Sequence, residues 1–531
     1  MGRRTINGIF SVSRGVQRLL PGTLGIGPRI QRAMILSQLS LLALLQVSAL
    51  PSGVPGDSIQ GPLSLTEHAE VLGLVPVRPT GNAKGPVLTI VGAMGVGGFL
   101  VELQNSPTSF AEEFFVQLPP APSKTTRSPL LVAFHKFGST ALDIPVNTDF
   151  EQECFNRNWF LVAPLGASTK SFSSISSQLN TEVVIELMVE RFGAYIDSNR
   201  IYGVGFSMGG SNAMNYAARH LDPSRPMFAA IINHTGPVSL RESYLEQPNN
   251  QFILDLWYGG DPDQFPFRYA RSSVLDIYSV DNGGGIGPGP IGPGPIGPGP
   301  IGPGPIGPGP IGGGGTSSKD YRIEFKNSLI TNLSHVPLYI VRAKNDPLTY
   351  ISAQLDLLTD HLSTTDQDYV YKKVGGVAQH LWSTLNEKNT LNWMAGKTLQ
   401  LPTSAFTIAD RDDTYFYFDL KQEGSGRFTR FNWRILPAEN ALHILNTDNL
   451  REITFNVGET GLDTTRPLKL HVSMRDNLGD LIRITGYDAA PGSVTRNGKH
   501  TRDWRYDATT KVVYLREKVG GQVNHWTISK N

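Results

Sequence analysis

A single cysteine, Cys154, stands in 531 residues, so no internal disulfide can close and a large hydrophobic core has to hold the chain together. Cys154 lies among Phe150, Phe155 and Trp159 in an expected helix, the setting of a buried structural thiol rather than a nucleophile. Charge imbalance is missing too: 47 Lys and Arg face 46 Asp and Glu, for a formal net charge of +1. That excludes the basic footprint of a nucleic-acid binder and gives no reason to expect a polyanionic substrate. Metal-ligand spacing is lacking as well. His443, His471, His500 and His525 stand far apart with no acids clustered beside them, which gives no metal site. A tract at 283–315 repeats Ile-Gly-Pro-Gly-Pro, but its glycines alternate two and three apart, whereas a collagen helix needs one at every third position.

What is present begins with Gly205-Phe206-Ser207-Met208-Gly209, preceded by the apolar run Ile201-Tyr202-Gly203-Val204 and followed by a helical stripe of Met208, Ala213, Met214, Ala217 and Ala218. A strand that stops at a serine and turns at once into a helix holds that serine in a strained turn with its hydroxyl clear of the sheet. The flanking glycines suit the near-contact of strand and helix there.

The rest of the chain is organised around that turn. Residues 29–49 carry positive charge ahead of an apolar stretch that ends in small residues, so residues 1–49 read as a signal peptide with a long n-region, cleaved after Ala49; an uncleaved anchor is the competing reading. The expectation is a secreted or periplasmic protein with no stable membrane insertion after cleavage. From 65 to 400 short strands and helices alternate, and Leu130–Phe134 and Trp159–Pro164 form continuous apolar runs of the kind buried in a parallel sheet. A helix is expected over about Thr181–Tyr195. The fold class is therefore α/β, a mostly parallel sheet with flanking helices. The tract at 283–315 interrupts the alternation and reads as a disordered loop, either a lid or a tolerated insertion. Beyond 403 the runs alternate with period two between turn residues, which predicts an all-β sandwich-like domain to 531. Its Trp433, Trp504, Tyr506 and Trp526 suit either core packing or a platform for a polymer surface.

The strand Val336–Arg342 leads to Asp346, and the strand Tyr369–Val374 leads to His380. The order Ser207, Asp346, His380 is the one imposed when the acid follows a late strand and the base follows the last one. A serine hydroxyl becomes a nucleophile when a neutral imidazole takes its proton, and a carboxylate fixes the imidazole's tautomer. Ser207 is the expected nucleophile, His380 the base and Asp346 the acid. An Asx turn is the rival role for Asp346, and Asp356 and Asp360 are fallback acids. The backbone N–H groups of Met208 and Phe137 are the expected oxyanion donors, with His135 shaping the loop between strand and donor.

Taken together, His135-Lys136-Phe137-Gly138, the serine turn, Lys344-Asn345-Asp346-Pro347 and His380-Leu381-Trp382 resemble the α/β-hydrolase superfamily. Within it the stretch is similar to the secreted polyhydroxybutyrate depolymerase and feruloyl esterase group. One departure stands out: many relatives carry His-Gly where this chain has His135-Lys136. The resemblance implies hydrolysis of a carboxylic ester through an acyl-enzyme with no cofactor, with a polyester or a feruloyl or acetyl polysaccharide ester as the alternatives for the substrate. Two readings stay beside it: a serine peptidase with the same triad, and a non-catalytic surface or adhesion protein on a hydrolase scaffold.

Overall fold

A computed structural model describes residues 87–94, 97–104, 106–280, 320–376, 380–473, 481–517 and 522–530. The signal peptide read at 1–49 and the repeat tract at 283–315 lie outside the described residues. The strands of the first domain are β1 (Val87–Met94), β2 (Gly98–Gln104), β3 (Glu112–Gln117), β4 (Ser128–Phe134), β5 (Phe160–Pro164), β6 (Ile196–Phe206), β7 (Ala230–His234), β8 (Ile277–Val280), β9 (Asp320–Ile323), β10 (Leu338–Ala343) and β11 (Tyr369–Val374). Nine of them make one sheet in the order β1-β2-β3-β5-β4-β6-β7-β10-β11. The pairs from β1 to β5 are antiparallel, and every pair from β5 to β11 is parallel. That is the α/β class expected from the sequence, a mostly parallel sheet with flanking helices, here with an antiparallel edge.

Parallel strands are covered on both faces, which is why β4, β5, β7 and β10 are buried along their whole length and why β5 and the Leu130–Phe134 stretch of β4 read as unbroken apolar runs. Alternate residues of β4 divide between two cores. Leu130, Val132 and Phe134 pack with Val184, Met188 and Met214 from the helices Ile175–Phe192 and Met208–Arg219. Leu131 and Ala133 face the other way, toward Phe150, Cys154, Leu391 and Met394. Burial drives the Cys154 thiol far above its usual range, consistent with a structural role.

Two details differ from the sequence reading. The helix expected from Thr181 begins at Ile175, because Ser174 caps it by accepting the N–H of Ser177 and its first turns bury polar Ser177, Gln178 and Asn180. Apolar periodicity therefore misses its start. The imidazoles thought too far apart also meet in space: His443, His471 and His525 lie in register on three neighbouring strands, with ring centroids 4.3 and 4.5 Å apart. Strand pairing brings together residues that the chain separates.

From Ser404 onward the chain forms a seven-stranded and a six-stranded sheet, an added β domain. Trp433 and Trp526 are buried in its core, and Trp504 and Tyr506 are half-buried against it. Core packing accounts for these rings, not a four-ring platform. The two domains share apolar contact, since Leu221 and Met227 pack into the β-domain core. Among the described residues no helix is long and apolar enough to cross a membrane.

Candidate active site

The turn at Ser207 is as tight as its glycines suggest. Ser207 has φ 57° and ψ −122°, a conformation that non-glycine residues rarely adopt. A Cβ on Gly205 would stand 2.0 Å from the Gly209 carbonyl oxygen, and one on Gly209 would stand 2.2 Å from that of Phe134. Strand β6, strand β4 and the helix Met208–Arg219 thus meet where only glycine fits, and Ser207 emerges half-buried at the point of contact.

Asp346 and His380, 34 residues apart in sequence, are brought together here: His380 Nδ1 lies 2.9 Å from Asp346 Oδ2. Asp346 is 4 % exposed, and its other oxygen, Oδ1, accepts the N–H of Leu348 at 2.9 Å. The Asx turn and the partnership with the imidazole therefore coexist, one carboxylate oxygen each. The fallback acids lie elsewhere. Asp356 is taken up by Arg342 at 3.0 Å and Lys373 at 3.0 Å, and Asp360 is exposed.

His380 packs against Phe206, the residue before Ser207, with ring centroids 4.5 Å apart and the planes tilted by 35°. On the same Phe206 ring, also at 4.5 Å, lies His234, which is wholly buried and depressed to about 3 by burial and then by the charge of His380. His380 Nε2 is buried and has no hydrogen-bond partner among the described residues. No hydrogen bond joins Nε2 to Ser207 Oγ: the structure brings Asp346 and His380 together and sets the ring against Phe206, one residue before the serine.

The loop after β4 is ordered by bonds that spare one donor. Lys136 N–H donates to Asp143 Oδ2 at 3.2 Å, Gly138 N–H to the Thr169 carbonyl at 2.7 Å, and Ser139 N–H to the Lys136 carbonyl at 3.1 Å. Phe137 N–H has no acceptor among the described residues, and neither does Met208 N–H at the start of its helix. His135 is structural: its Nδ1 and Nε2 lie 2.8 and 2.9 Å from the carbonyls of Lys136 and Leu165. The side chains of Phe137 and Met208 join one apolar cluster with Phe172, Leu254, Tyr258 and Tyr269. Nearby, the helix Pro248–Tyr258 leaves Phe252 74 % and Leu256 68 % exposed.

Sequence reasoning missed Asp143, Trp382, His234 and Thr384. Trp382 Nε1 donates to Asp143 Oδ2 at 2.9 Å, His234 Nε2 bonds to Thr384 Oγ1, and Thr384 Oγ1 donates to the Leu381 carbonyl at 2.9 Å. The nearest signal was the adjacency of Trp382 to His380 and of Lys136 to Phe137. Among the described residues no group of three or more His, Cys, Asp or Glu side chains is placed to hold a metal ion.

No family model matches the sequence, and no curated protein matches it. Solved structures that resemble it include an S-formylglutathione hydrolase from Agrobacterium tumefaciens, at 14 % identity over 58 % of this chain and 98 % of that one, with a TM-score of 0.39. An S-formylglutathione hydrolase from Staphylococcus aureus aligns at 15 % identity over 56 % of this chain and 99 % of that one, with a TM-score of 0.36. Esterase 2 from Thermogutta terrifontis, in its propionate-bound form, aligns at 10 % identity over 55 % of this chain and 88 % of that one, with a TM-score of 0.32. The fold itself is read from the strand order and pairing described above.

Proposed function

We propose that this protein is a secreted serine hydrolase that cleaves carboxylic esters through an acyl-enzyme on Ser207. The observation that carries the reading is the His380 ring: Nδ1 is held by Asp346 at 2.9 Å, while the buried Nε2 has no partner and the ring packs against Phe206, the neighbour of Ser207.

Ser207 Oγ attacks the ester carbonyl carbon as its proton passes to His380 Nε2, and Asp346 stabilises the imidazolium through Nδ1. The carbonyl oxygen, now an oxyanion, is received by the N–H groups of Met208 and Phe137, both of which lack an internal acceptor. Collapse of the tetrahedral intermediate breaks the C–O bond, and His380 returns the proton to the departing alcohol. Water then enters, gives its proton to Nε2 and releases the acid by the same steps in reverse. No cofactor takes part in this route.

The apolar and aromatic surroundings of Phe137 and Met208 support an acyl group with an apolar or aromatic body, as in polyesters and feruloyl esters. Hydrolysis rates for aryl esters of rising acyl length, a feruloyl ester and the amide of the preferred acyl group test this. Turnover of esters with little turnover of the matched amide is expected; preference for the amide would replace the reading with a peptidase.

A further inference from the structure

Lys136 departs from the His-Gly that many members of the resembling family carry, and its side chain is committed. Lys136 Nζ lies 2.6 Å from Asp143 Oδ1, with the Asp143 side chain 1 % exposed and that of Lys136 35 % exposed. Asp143 opens the helix Asp143–Asn147, and its carboxylate also accepts from Asn147 Nδ2 at 2.7 Å, from Lys136 N–H at 3.2 Å and from Trp382 Nε1 at 2.9 Å. Burial opposes charge on this carboxyl, but the hydrogen bonds from Lys136 and Trp382 outweigh it and hold the group below the usual carboxylate range. One ionised side chain therefore touches both the loop before Phe137 and the loop that carries His380.

Each contact restricts a direction. The peptide joining Lys136 to Phe137 is planar, so its N–H points opposite its C=O. That C=O is held by Ser139 N–H at 3.1 Å and faces His135 Nδ1 at 2.8 Å, while Asp143 grips Lys136 at both N–H and Nζ. The Phe137 N–H is left with one aim. On the other loop, the Trp382 ring packs on Phe206 at 5.1 Å and on Phe150 at 6.0 Å, which fixes the backbone two residues beyond His380.

We propose that Lys136, Asp143 and Trp382 are positioning residues, a link across the site that fixes the oxyanion donor Phe137 N–H relative to the His380 ring. The inference rests on the ester-hydrolase reading and adds to it. Neither the lysine amine nor the indole touches substrate; they keep two halves of the machinery, drawn from loops more than 200 residues apart, in one mutual geometry. A shift of about 1 Å between such groups costs about 100-fold in rate.

The test uses the full-length protein with Lys136→Met, Lys136→Arg, Trp382→Phe and the Lys136→Met/Trp382→Phe double variant. Steady-state hydrolysis of a soluble aryl ester, the rate of labelling by a fluorophosphonate and Tm are measured for each. Lys136→Met is expected to lower kcat by about 10- to 100-fold with KM changed by less than about threefold; its Tm falls too, because the buried Asp143 loses its counter-charge, so Lys136→Arg and Trp382→Phe are the variants expected near the wild-type Tm. Lys136→Arg, which keeps the charge and a donor, is expected to restore most of the loss. Trp382→Phe keeps the ring and loses only the N–H, so kcat falls in the same sense. The double variant is expected to be no worse than the poorer single, because both act through Asp143. Losses that track Tm and add in the double variant would mean ordinary structural contacts and overturn the link. So would wild-type kcat in the folded Lys136→Met and Trp382→Phe proteins while wild type is labelled. Wild type that is neither labelled nor active overturns the ester-hydrolase reading, and the link with it.

Discussion

Asp410, at the start of the β domain, is buried against Arg219, the last residue of the helix that begins behind Ser207, with Arg219 Nη2 2.8 Å from Asp410 Oδ2. Arg271 Nε reaches the same oxygen at 2.9 Å, and Tyr415 donates to Oδ1 at 3.0 Å. The appended domain thus holds the far end of the helix Met208–Arg219 through a buried charge cluster.

Removing the carboxylate leaves two guanidinium groups without their counter-charge, one of them fully enclosed. Asp410→Ala is expected to cost about 3–5 kcal/mol of stability, the penalty for breaking a buried pair, read by urea denaturation. Burial opposes ionisation of Asp410, but Arg219 and Arg271 hold its carboxyl well below the usual range. Its contribution is therefore complete above the unfolded carboxyl's pKa of about 4 and is lost as pH falls below it. An unchanged midpoint in the variant would show that the cluster does not brace the interface.

Cutting the chain before Thr403 removes Asp410 and also bares Leu221 and Met227. Soluble-ester turnover, adsorption to an insoluble polyester and Tm are expected to fall together. A truncated protein with wild-type Tm and soluble-ester activity, but weakened adsorption, would instead assign the β domain to polymer binding.

His234 sets a second pH dependence. Burial, then the charge of His380, lowers it from 6.5 to about 3, so the folded state keeps it neutral while the unfolded state takes a proton below 6.5. The unfolded state binds more protons, and stability falls as pH drops from about 6.5 toward 3, at up to about 1.4 kcal/mol per pH unit. Denaturation midpoints between pH 7 and 4 should fall less steeply in His234→Gln than in wild type. Equal slopes would show that other groups govern acid unfolding.

The tract at 283–315 enters and leaves on paired strands, since β8 and β9 run antiparallel with Val280 opposite Asp320. A short turn joining these two residues closes the ribbon without moving it, and loop-closure entropy changes slowly with length. Replacing 281–319 by such a turn should leave Tm within a few degrees. A large fall would mean that the segment contributes to the core.

The serine turn and the two loops that bring Asp346 to His380 were legible because each depends on local chemistry. Glycines flank a serine between a strand and a helix, and the loops that carry Asp346 and His380 follow apolar strands that mark the sheet. The bonds behind them were not legible. Asp143 meets Trp382 across 239 residues, and Asp410 meets Arg219 across 191. A lone carboxylate in sequence gives no sign of a distant partner that only the packed fold brings near. Helix Ile175–Phe192 was read short at its start because it buries serine, glutamine and asparagine where a periodic pattern expects apolar side chains. In the β domain, alternation located the strands, but it did not distinguish the core Trp526 from the rim Trp504.

Fluorophosphonate labelling followed by peptide mapping tests the central claim most directly, because it reports whether Ser207 is activated whatever the natural ester is. The full-length protein is expected to take up one adduct, on Ser207. Ser207→Ala should take up none, His380→Ala should react at least about 1,000-fold more slowly, and Asp346→Asn should lose up to about 10,000-fold in ester turnover. Wild-type protein that takes no adduct, carries it on another serine, or reacts as fast without His380 would contradict the account.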